Sequence, residues 1–362
     1  MPSITSPASA IPNPVVTMPA PAIAAGIAHG GRLIEARRRF PSAPQPFLDL
    51  STGINPHPYP LAPIDPARLA RLPEPEELSR LQAVAARAYG VADPDMVVAT
   101  PGTQIAISLL PHLLGCSRAV ILSPTYAEHA AAWRHAGRPV EAAAGLEAFE
   151  RGAMLPGTAA VLCNPNNPDG ARSDRVRLLA LAAGLARQGG VLICDEAFLD
   201  LEPDMASLGT ALPHPGLLVL RSFGKTYGLA GIRLGFVLAS PGLAGRLRSA
   251  FGPWAIGGLA IEAGCAALAD EAWRAGMAER LLGDGAELDR LLLRYGWRSR
   301  GGTALFRLYQ VRQATRLYAH LGEAGVLVRR FEHQPDLLRL GLPGDSGGWA
   351  RLEGALATAA LS

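Results

Sequence analysis

SFGKTYGLAGIRLGF, residues 222–236, is the stretch on which the reading of the fold turns. It holds Lys225, the one lysine in a chain of 362 residues that carries 34 lysines and arginines together. The two residues exchange readily as surface charges, yet only a lysine amine can be desolvated, deprotonated and used as a nucleophile. A chain that uses arginine everywhere else and lysine here marks a position that needs an amine, and carbonyl chemistry through a Schiff base is the sharpest reading. The glycines of the stretch do not follow the spacing of a dinucleotide-binding loop.

Working outward, short apolar runs recur at Met96–Ala99, Ala119–Leu122, Ala159–Cys163, Val191–Cys194, Leu217–Leu220 and Leu234–Leu238. Turn residues bound each run, and helical patterns such as Val176–Gln188 separate them. That alternation predicts an α/β fold, a mostly parallel sheet buried on both faces by helices. Residues 74–91 carry acids in a first turn and apolar residues at helical spacing, and so predict a helix. Beyond about residue 245 the pattern changes to helices over Leu259–Ala269 and Trp273–Tyr295, then strands near Ala304–Leu308 and Leu337–Leu342, which predicts a smaller C-terminal α+β domain. The expected organisation is a disordered tail over 1–28, an arm over 29–50, a large domain over 51–244 and a small one over 245–362. The tail is rich in Pro, Ala and Ser and lacks charge; it has no positive segment of a secretory signal, and Met18 is a candidate natural start.

Ligands of open α/β sheets sit beyond the carboxyl ends of the strands. The first run is followed by Gly102-Thr103-Gln104, a tight turn opening a helix and hence an anion site. The second is followed by Tyr126, a platform for a planar ring, and the third by NPNNPDG with Asn167. The fourth ends at Asp195, a carboxylate that burial obliges to find a partner, either an arginine or a protonated ring nitrogen. The fifth leads into Ser222 and Lys225, and Arg233 stands at the edge of the sixth. A phosphate cradle, a ring platform, an acid for a pyridinium nitrogen and a Schiff-base lysine together describe pyridoxal 5′-phosphate.

Composition narrows the alternatives. The formal net charge is +3 and no basic run exceeds Arg37–Arg39, so no nucleic-acid footprint is expected. No apolar stretch approaches the length of a membrane span. Cys116, Cys163, Cys194 and Cys265 show no C-x-x-C pair and no zinc spacing, and read as thiols in a reducing cytoplasm.

From about residue 29 to 345 the chain resembles the fold-type I pyridoxal-phosphate enzymes with the aspartate aminotransferase-like fold. NPNNPDG, DEAF and SFGKTYGLAGIRLGF carry the likeness to the branch of histidinol-phosphate aminotransferases and threonine-phosphate decarboxylases. The resemblance implies that Gly102, Thr103, Ser222 and Arg233 hold the cofactor phosphate with Gln104 beside it. It implies that Tyr126 stacks on the ring, Asn167 meets its hydroxyl oxygen, Asp195 pairs with its nitrogen and Lys225 bonds to its aldehyde carbon, with Lys225, Asp195 and Tyr126 as the catalytic set. Arg339 in LLRLGL matches an arginine that clamps a substrate carboxylate. HGG (29–31) and LDLSTGINPHPYP are similar to the threonine-phosphate decarboxylases of cobalamin biosynthesis, which carries over His29, Gly30, Asn55 and Arg329, with Asn167 and Arg339, as substrate-binding. The activity so implied is decarboxylation of L-threonine O-3-phosphate to (R)-1-amino-2-propanol O-2-phosphate, by a homodimer with its site at the subunit boundary. The alternative is an aminotransferase for a phosphorylated amino acid such as histidinol phosphate. Two positions depart from the pattern: Phe198 stands where many relatives have a ring-contacting tyrosine, and Leu72-Pro73 lacks a tyrosine that reaches the neighbouring subunit.

Overall fold

The computed structural model describes residues 29–63 and 65–360, so the expected tail and Met18 lie outside the described residues. The arm carries helix α1 (Leu33–Arg39) and strand β1 (Leu48–Asp49), and α2 (Ala67–Ala70) and α3 (Pro75–Tyr89) follow. Then come β2 (Val97–Thr100), α4 (Thr103–Leu113), β3 (Arg118–Ser123), α5 (Ala127–His135), β4 (Val140–Ala144) and α6 (Leu146–Ala153). The alternation continues through β5 (Thr158–Cys163), α7 (Arg175–Arg187), β6 (Val191–Asp195), β7 (Leu217–Arg221), α8 (Phe223–Thr226) and β8 (Gly235–Ala239). The C-terminal part comprises α9 (Pro241–Phe251), α10 (Gly258–Ala269), α11 (Glu271–Arg294), β9 (Arg298–Thr303), β10 (Phe306–Gln310) and α12 (Ala314–Glu323). It ends with β11 (Val326–Leu327), β12 (Arg329–Phe331), β13 (Gln334–Gly341) and α13 (Ser346–Ala360).

Seven strands form the main sheet in the order β2-β8-β7-β6-β5-β3-β4. Its pairs are parallel except that β8 runs antiparallel to both neighbours. Every strand but β8 therefore points the same way, and the carboxyl ends of β2, β3, β5, β6 and β7 share one edge with the start of β8. Side chains alternate between two cores, as the pleat requires. Leu192, Cys194, Leu217, Val219, Phe236 and Leu238 belong to one. Ile193, Leu218, Leu220 and Val237 belong to the other. Both faces are dry, which is why each of these runs reads as continuous apolar sequence.

The helix expected over 74–91 is α3, opened by a capping box between Glu74 and Glu77 and closed at Gly90 with φ 67°. Closure needs a left-handed residue, and glycine takes that conformation without a Cβ penalty. A second, four-stranded sheet in the order β12-β13-β10-β9 is antiparallel, and its core includes Leu288, Phe306, Leu338 and Leu340. The arm is tied to this part by the parallel pair β1–β11, Leu48 opposite Val326. Phe40 and Phe47 pack there against Leu327. Five strands were not anticipated from the sequence: the short β1, β11 and β12, then β4, and β9 with the polar sequence RSRGGT. None of the five has a strand on both sides.

Candidate active site

The shared edge of the main sheet gathers the polar residues that follow each strand. At its centre lies Asp195, buried at the end of β6. Its Oδ2 lies 3.0 Å from Nε2 of His129, and its Oδ1 accepts from the Ala197 backbone N–H. Burial alone raises a carboxyl and lowers an imidazole, yet the hydrogen-bonded pair reverses both. Asp195 is held below its ordinary value by His129 and Lys225, and His129 is raised to about 10 by Asp195 and the Cys163 thiol. The Cys163 sulfur, at the end of β5, lies with the His129 and Asp195 ligand atoms inside 4.8 Å of one another, a cluster that linear cysteine spacing does not reveal. His129 was missed in the sequence because its partner is 66 residues away. Its position three residues after Tyr126 at the start of a strand-end helix is the one local signal.

The pair has a pH signature. His129 is raised above its ordinary 6.5, so its contribution to stability is complete below pH 6.5 and is lost as pH rises through about 10. Asp195 is depressed below its ordinary 3.8, so its contribution is complete above pH 3.8 and is lost as pH falls through the lowered value. Thermal denaturation of cofactor-free protein is expected to show a melting temperature that declines between pH 6.5 and 10. A His129→Asn variant should lack most of that decline; an equal decline in both would remove the pair as its cause.

Lys225 sits in α8, the short helix that follows β7. Burial lowers its pKa first, Asp195 and Cys163 oppose that, and Arg339 and Arg233 add to the lowering. Its Nζ lies 4.7 Å from the centre of the Phe198 ring, a face that favours the charged amine. Phe198 itself packs edge-on to Phe306 at 5.0 Å, so the residue that replaces a tyrosine supplies an apolar wall.

The expected anion site takes shape from glycines. Gly102 (φ 75°) precedes α4, and a Cβ there would lie 2.6 Å from Arg233 Nη2. A Cβ on Gly235 would lie 2.8 Å from the Thr103 backbone N. Both positions must be bare for Arg233 to lie over the turn and for β8 to approach the α4 N-terminus, whose free N–H groups and dipole favour an anion. Arg233 adopts the left-handed conformation (φ 55°), a strained geometry for a non-glycine residue that recurs at functional sites. Ser222 stands at the opening of α8, and its hydroxyl does not cap that helix. Tyr126 donates from its hydroxyl to Gln104 Oε1 at 2.9 Å and meets the His129 ring edge-on at 5.9 Å.

The candidate substrate residues divide. Arg339 of β13 is buried, donates to Asn167 Oδ1 and the Ser51 carbonyl, and leaves its Nε without a partner. Register places Arg329 directly opposite it on β12. Like charges in that relation repel. Burial and Arg329 both disfavour the Arg339 charge, and neither arginine forms an ion pair among the described residues. Asp49 and Glu332 offset part of this from a distance, and two facing arginines with no ion pair among the described residues are a candidate site for an anionic ligand. His29 is joined instead to Glu128 at 3.1 Å, and Glu128 also accepts from Gln104 at 3.3 Å. Gly30 lies against the arm's return, where a Cβ would be 2.3 Å from the Ser51 carbonyl oxygen. Asn55 is buried with both ends of its amide engaged, donating to the Thr226 carbonyl and accepting from the His57 N–H, each at 2.9 Å. It braces the lysine loop from behind.

The sheet order, the lysine beyond β7 and the buried aspartate ending β6 define a class of protein. Residues 68–347 match the family Aminotransferase class I and II, and the chain belongs to that family. It is 43% identical over 328 residues to the threonine-phosphate decarboxylase of Pseudomonas aeruginosa, covering 91% of this chain and 96% of that one. It is 39% identical over 348 residues to a threonine-phosphate decarboxylase of a Sinorhizobium species, covering 92% and 99%. Among solved structures, the histidinol-phosphate aminotransferase of Sinorhizobium meliloti in complex with pyridoxal-5′-phosphate superposes with a TM-score of 0.75 at 20% identity, covering 93% and 99%. That last likeness is one of fold.

The residues present fit pyridoxal phosphate. An amine, a buried ionised carboxylate and an arginine that forms no ion pair among the described residues stand at one sheet edge, the arginine over a glycine turn, each matched to a different functional group of that molecule.

Proposed function

We propose that this protein binds pyridoxal 5′-phosphate and decarboxylates L-threonine O-3-phosphate to (R)-1-amino-2-propanol O-2-phosphate, a step of cobalamin biosynthesis. The observation that carries the reading is the 43% identity, over nearly the whole chain, to a relative named for that reaction. The opposed arginines Arg329 and Arg339 support it, because a substrate with both a phosphate and a carboxylate supplies the anions they lack.

Lys225 would hold the cofactor, Asp195 with His129 would face its ring nitrogen, Tyr126 would lie along the ring, Asn167 would meet its hydroxyl oxygen, and Gly102, Thr103, Gln104, Ser222 and Arg233 would surround its phosphate. When bound, pyridoxal phosphate supplies a conjugated, protonated ring that accepts the electron pair left at Cα as CO2 departs. Asp195 keeps the ring nitrogen protonated, since a carboxylate held ionised stabilises a cation beside it. The arginines select the bond. Arg329 and Arg339 would each hold one anionic end of the substrate, and two clamped ends leave its Cα one orientation. Lys225, its amine pulled toward the neutral form by burial, is placed to carry a proton at Cα. Phe198 and Phe306 keep water from beneath it.

Incubation of the cofactor-loaded protein with L-threonine O-3-phosphate is expected to release CO2 without any 2-oxoacid. Absence of CO2, with a 2-oxoacid requirement for turnover of histidinol phosphate, would overturn the reading in favour of transamination. The family resemblance also leads us to propose a cytoplasmic homodimer, with a mass in solution about twice the 37.9 kDa of the chain.

A further inference from the structure

The four residues Ser222–Lys225 are flanked by two polar side chains, Arg221 at the end of β7 and Thr226 at the end of α8. Both bond to one carboxylate. Arg221 Nη2 donates to Asp200 Oδ1, and the Thr226 hydroxyl donates to Asp200 Oδ2 at 2.9 Å. Asp200 stands on the loop that leaves β6 just after Asp195, and its side chain is 3% exposed, Arg221's 5%. The other arm of the Arg221 fork donates to Glu196 at 2.7 Å, and Glu196 accepts also from the Ser207 hydroxyl and the Leu208 N–H. The guanidinium lies 4.5 Å from the centre of the Tyr89 ring, which fixes its plane. Asp200 thus grips both ends of the lysine turn, and it does so from the loop that follows Asp195 at the end of β6.

Stability alone is a poor reason for this arrangement. Two carboxylates and one guanidinium buried together carry a net charge out of water, and well-packed apolar side chains usually serve a core better. Thr226 is fully buried, and valine has its shape without the hydroxyl. What the cluster does supply is geometry. A bidentate carboxylate with one partner on each side of a turn removes the freedom of that turn to rotate, and loop position relative to β6 is set by the same group.

We propose that Asp200 is a positioning residue for Lys225, fixing through Arg221 and Thr226 both the conformation of the lysine turn and the separation of the amine from Asp195. The proposal rests on Lys225 being the cofactor lysine, and is independent of which bond at Cα is broken.

The test uses the cofactor-loaded protein and the variants Thr226→Val, Thr226→Ser, Asp200→Asn and the Thr226→Val/Asp200→Asn double. The readouts are the pH midpoint of the bound cofactor's absorbance change, kcat and KM for L-threonine O-3-phosphate, and the melting temperature. Thr226→Val is expected to shift the absorbance midpoint by about half a pH unit, because the amine moves relative to Asp195. It should lower kcat about tenfold with KM within about twofold, as displacement of a reacting group does. Thr226→Ser, which keeps the hydroxyl, should restore both. The double variant should match Asp200→Asn alone, because the two groups act through one contact. A Thr226→Val protein with the wild-type midpoint and kcat overturns the proposal, as does a Thr226→Ser protein that behaves like Thr226→Val, or single losses that multiply in the double. If Asp200→Asn does not fold, the valine and serine variants decide alone. Absence of cofactor absorbance in the wild type would overturn this proposal together with the reading of Lys225; absorbance that the variants leave unmoved overturns this proposal only.

Discussion

Lys225→Arg is expected to lower kcat/KM for L-threonine O-3-phosphate by at least about 10⁴-fold while leaving a folded protein, because losing a covalent catalytic group removes that order of acceleration. The substitution keeps a cation beside Asp195 and against the Phe198 ring, so the contacts that hold the loop survive. What it removes is a nitrogen able to shed its proton, since a guanidinium stays charged even where burial disfavours charge. Borohydride reduction followed by intact-mass measurement gives a second readout: the wild type should retain the cofactor's mass and the arginine variant should not. A variant that turns over within tenfold of wild type would end the Schiff-base assignment. The effect should exceed that of any other single change in this protein, because every other site residue works by placing something and Lys225 alone forms a bond.

Arg339→Met carries the second largest expectation, and its two effects have opposite signs. In the ligand-free protein Arg339 is buried, has an unpartnered Nε, and faces Arg329 across the β12–β13 pair. Relief of its burial and of its repulsion from Arg329 should outweigh the two hydrogen bonds lost to Asn167 and the Ser51 carbonyl, and stabilise the fold by about 1 kcal/mol. The same change removes the clamp proposed for the substrate carboxylate, and kcat/KM should fall by about 10²–10⁴-fold, the range for truncating one partner of a buried charge pair. Denaturant melts of the ligand-free protein and steady-state kinetics check the two arms. A destabilised variant with unchanged KM would show that Arg339 serves the fold and leaves substrate to other groups. Stability given up for binding is the pattern expected where a site is built before its ligand arrives.

The resting pairing of His29 with Glu128 has a place in the same picture. It keeps the arm against Tyr126, whose ring lies 6.0 Å from the His29 ring, at the edge of the candidate site. Glu128 had no signal in the sequence, being one acid among the 31 aspartates and glutamates.

Legibility followed burial. Strands β5, β6, β7 and β8 are buried at every position, and an unbroken apolar run between turn residues is the mark of such a strand. Strand β4 has one buried residue in VEAAA, and β9 reads RSRGGT, because an edge strand draws its identity from its neighbour's hydrogen bonds rather than from its own side chains. The residues proposed for the cofactor were legible because most follow closely on a buried strand, and the carboxyl ends of the parallel strands share one edge whatever their order in the sheet, while Arg233 precedes the strand that runs the other way. His129, which holds Asp195, was not, because it reaches that carboxylate across 66 residues. Asn55 and Arg339 were named from the resemblance, but their partners Thr226 and Asn167, 171 and 172 residues away, were not.

From sequence alone came the class of fold, the family, and the expectation of an amine at Lys225, since residue type is a local property and arginine cannot lose its proton. Tertiary structure decided which charges neutralise one another. It gave Asp195 a histidine, bound Asp200 to both ends of the lysine turn, placed Arg329 opposite Arg339, and turned Asn55 to the lysine loop. The physical reason is that a charge's behaviour inside a protein depends on the few ångströms around it. Those neighbours arrive from distant segments that strand register and sheet order alone bring together.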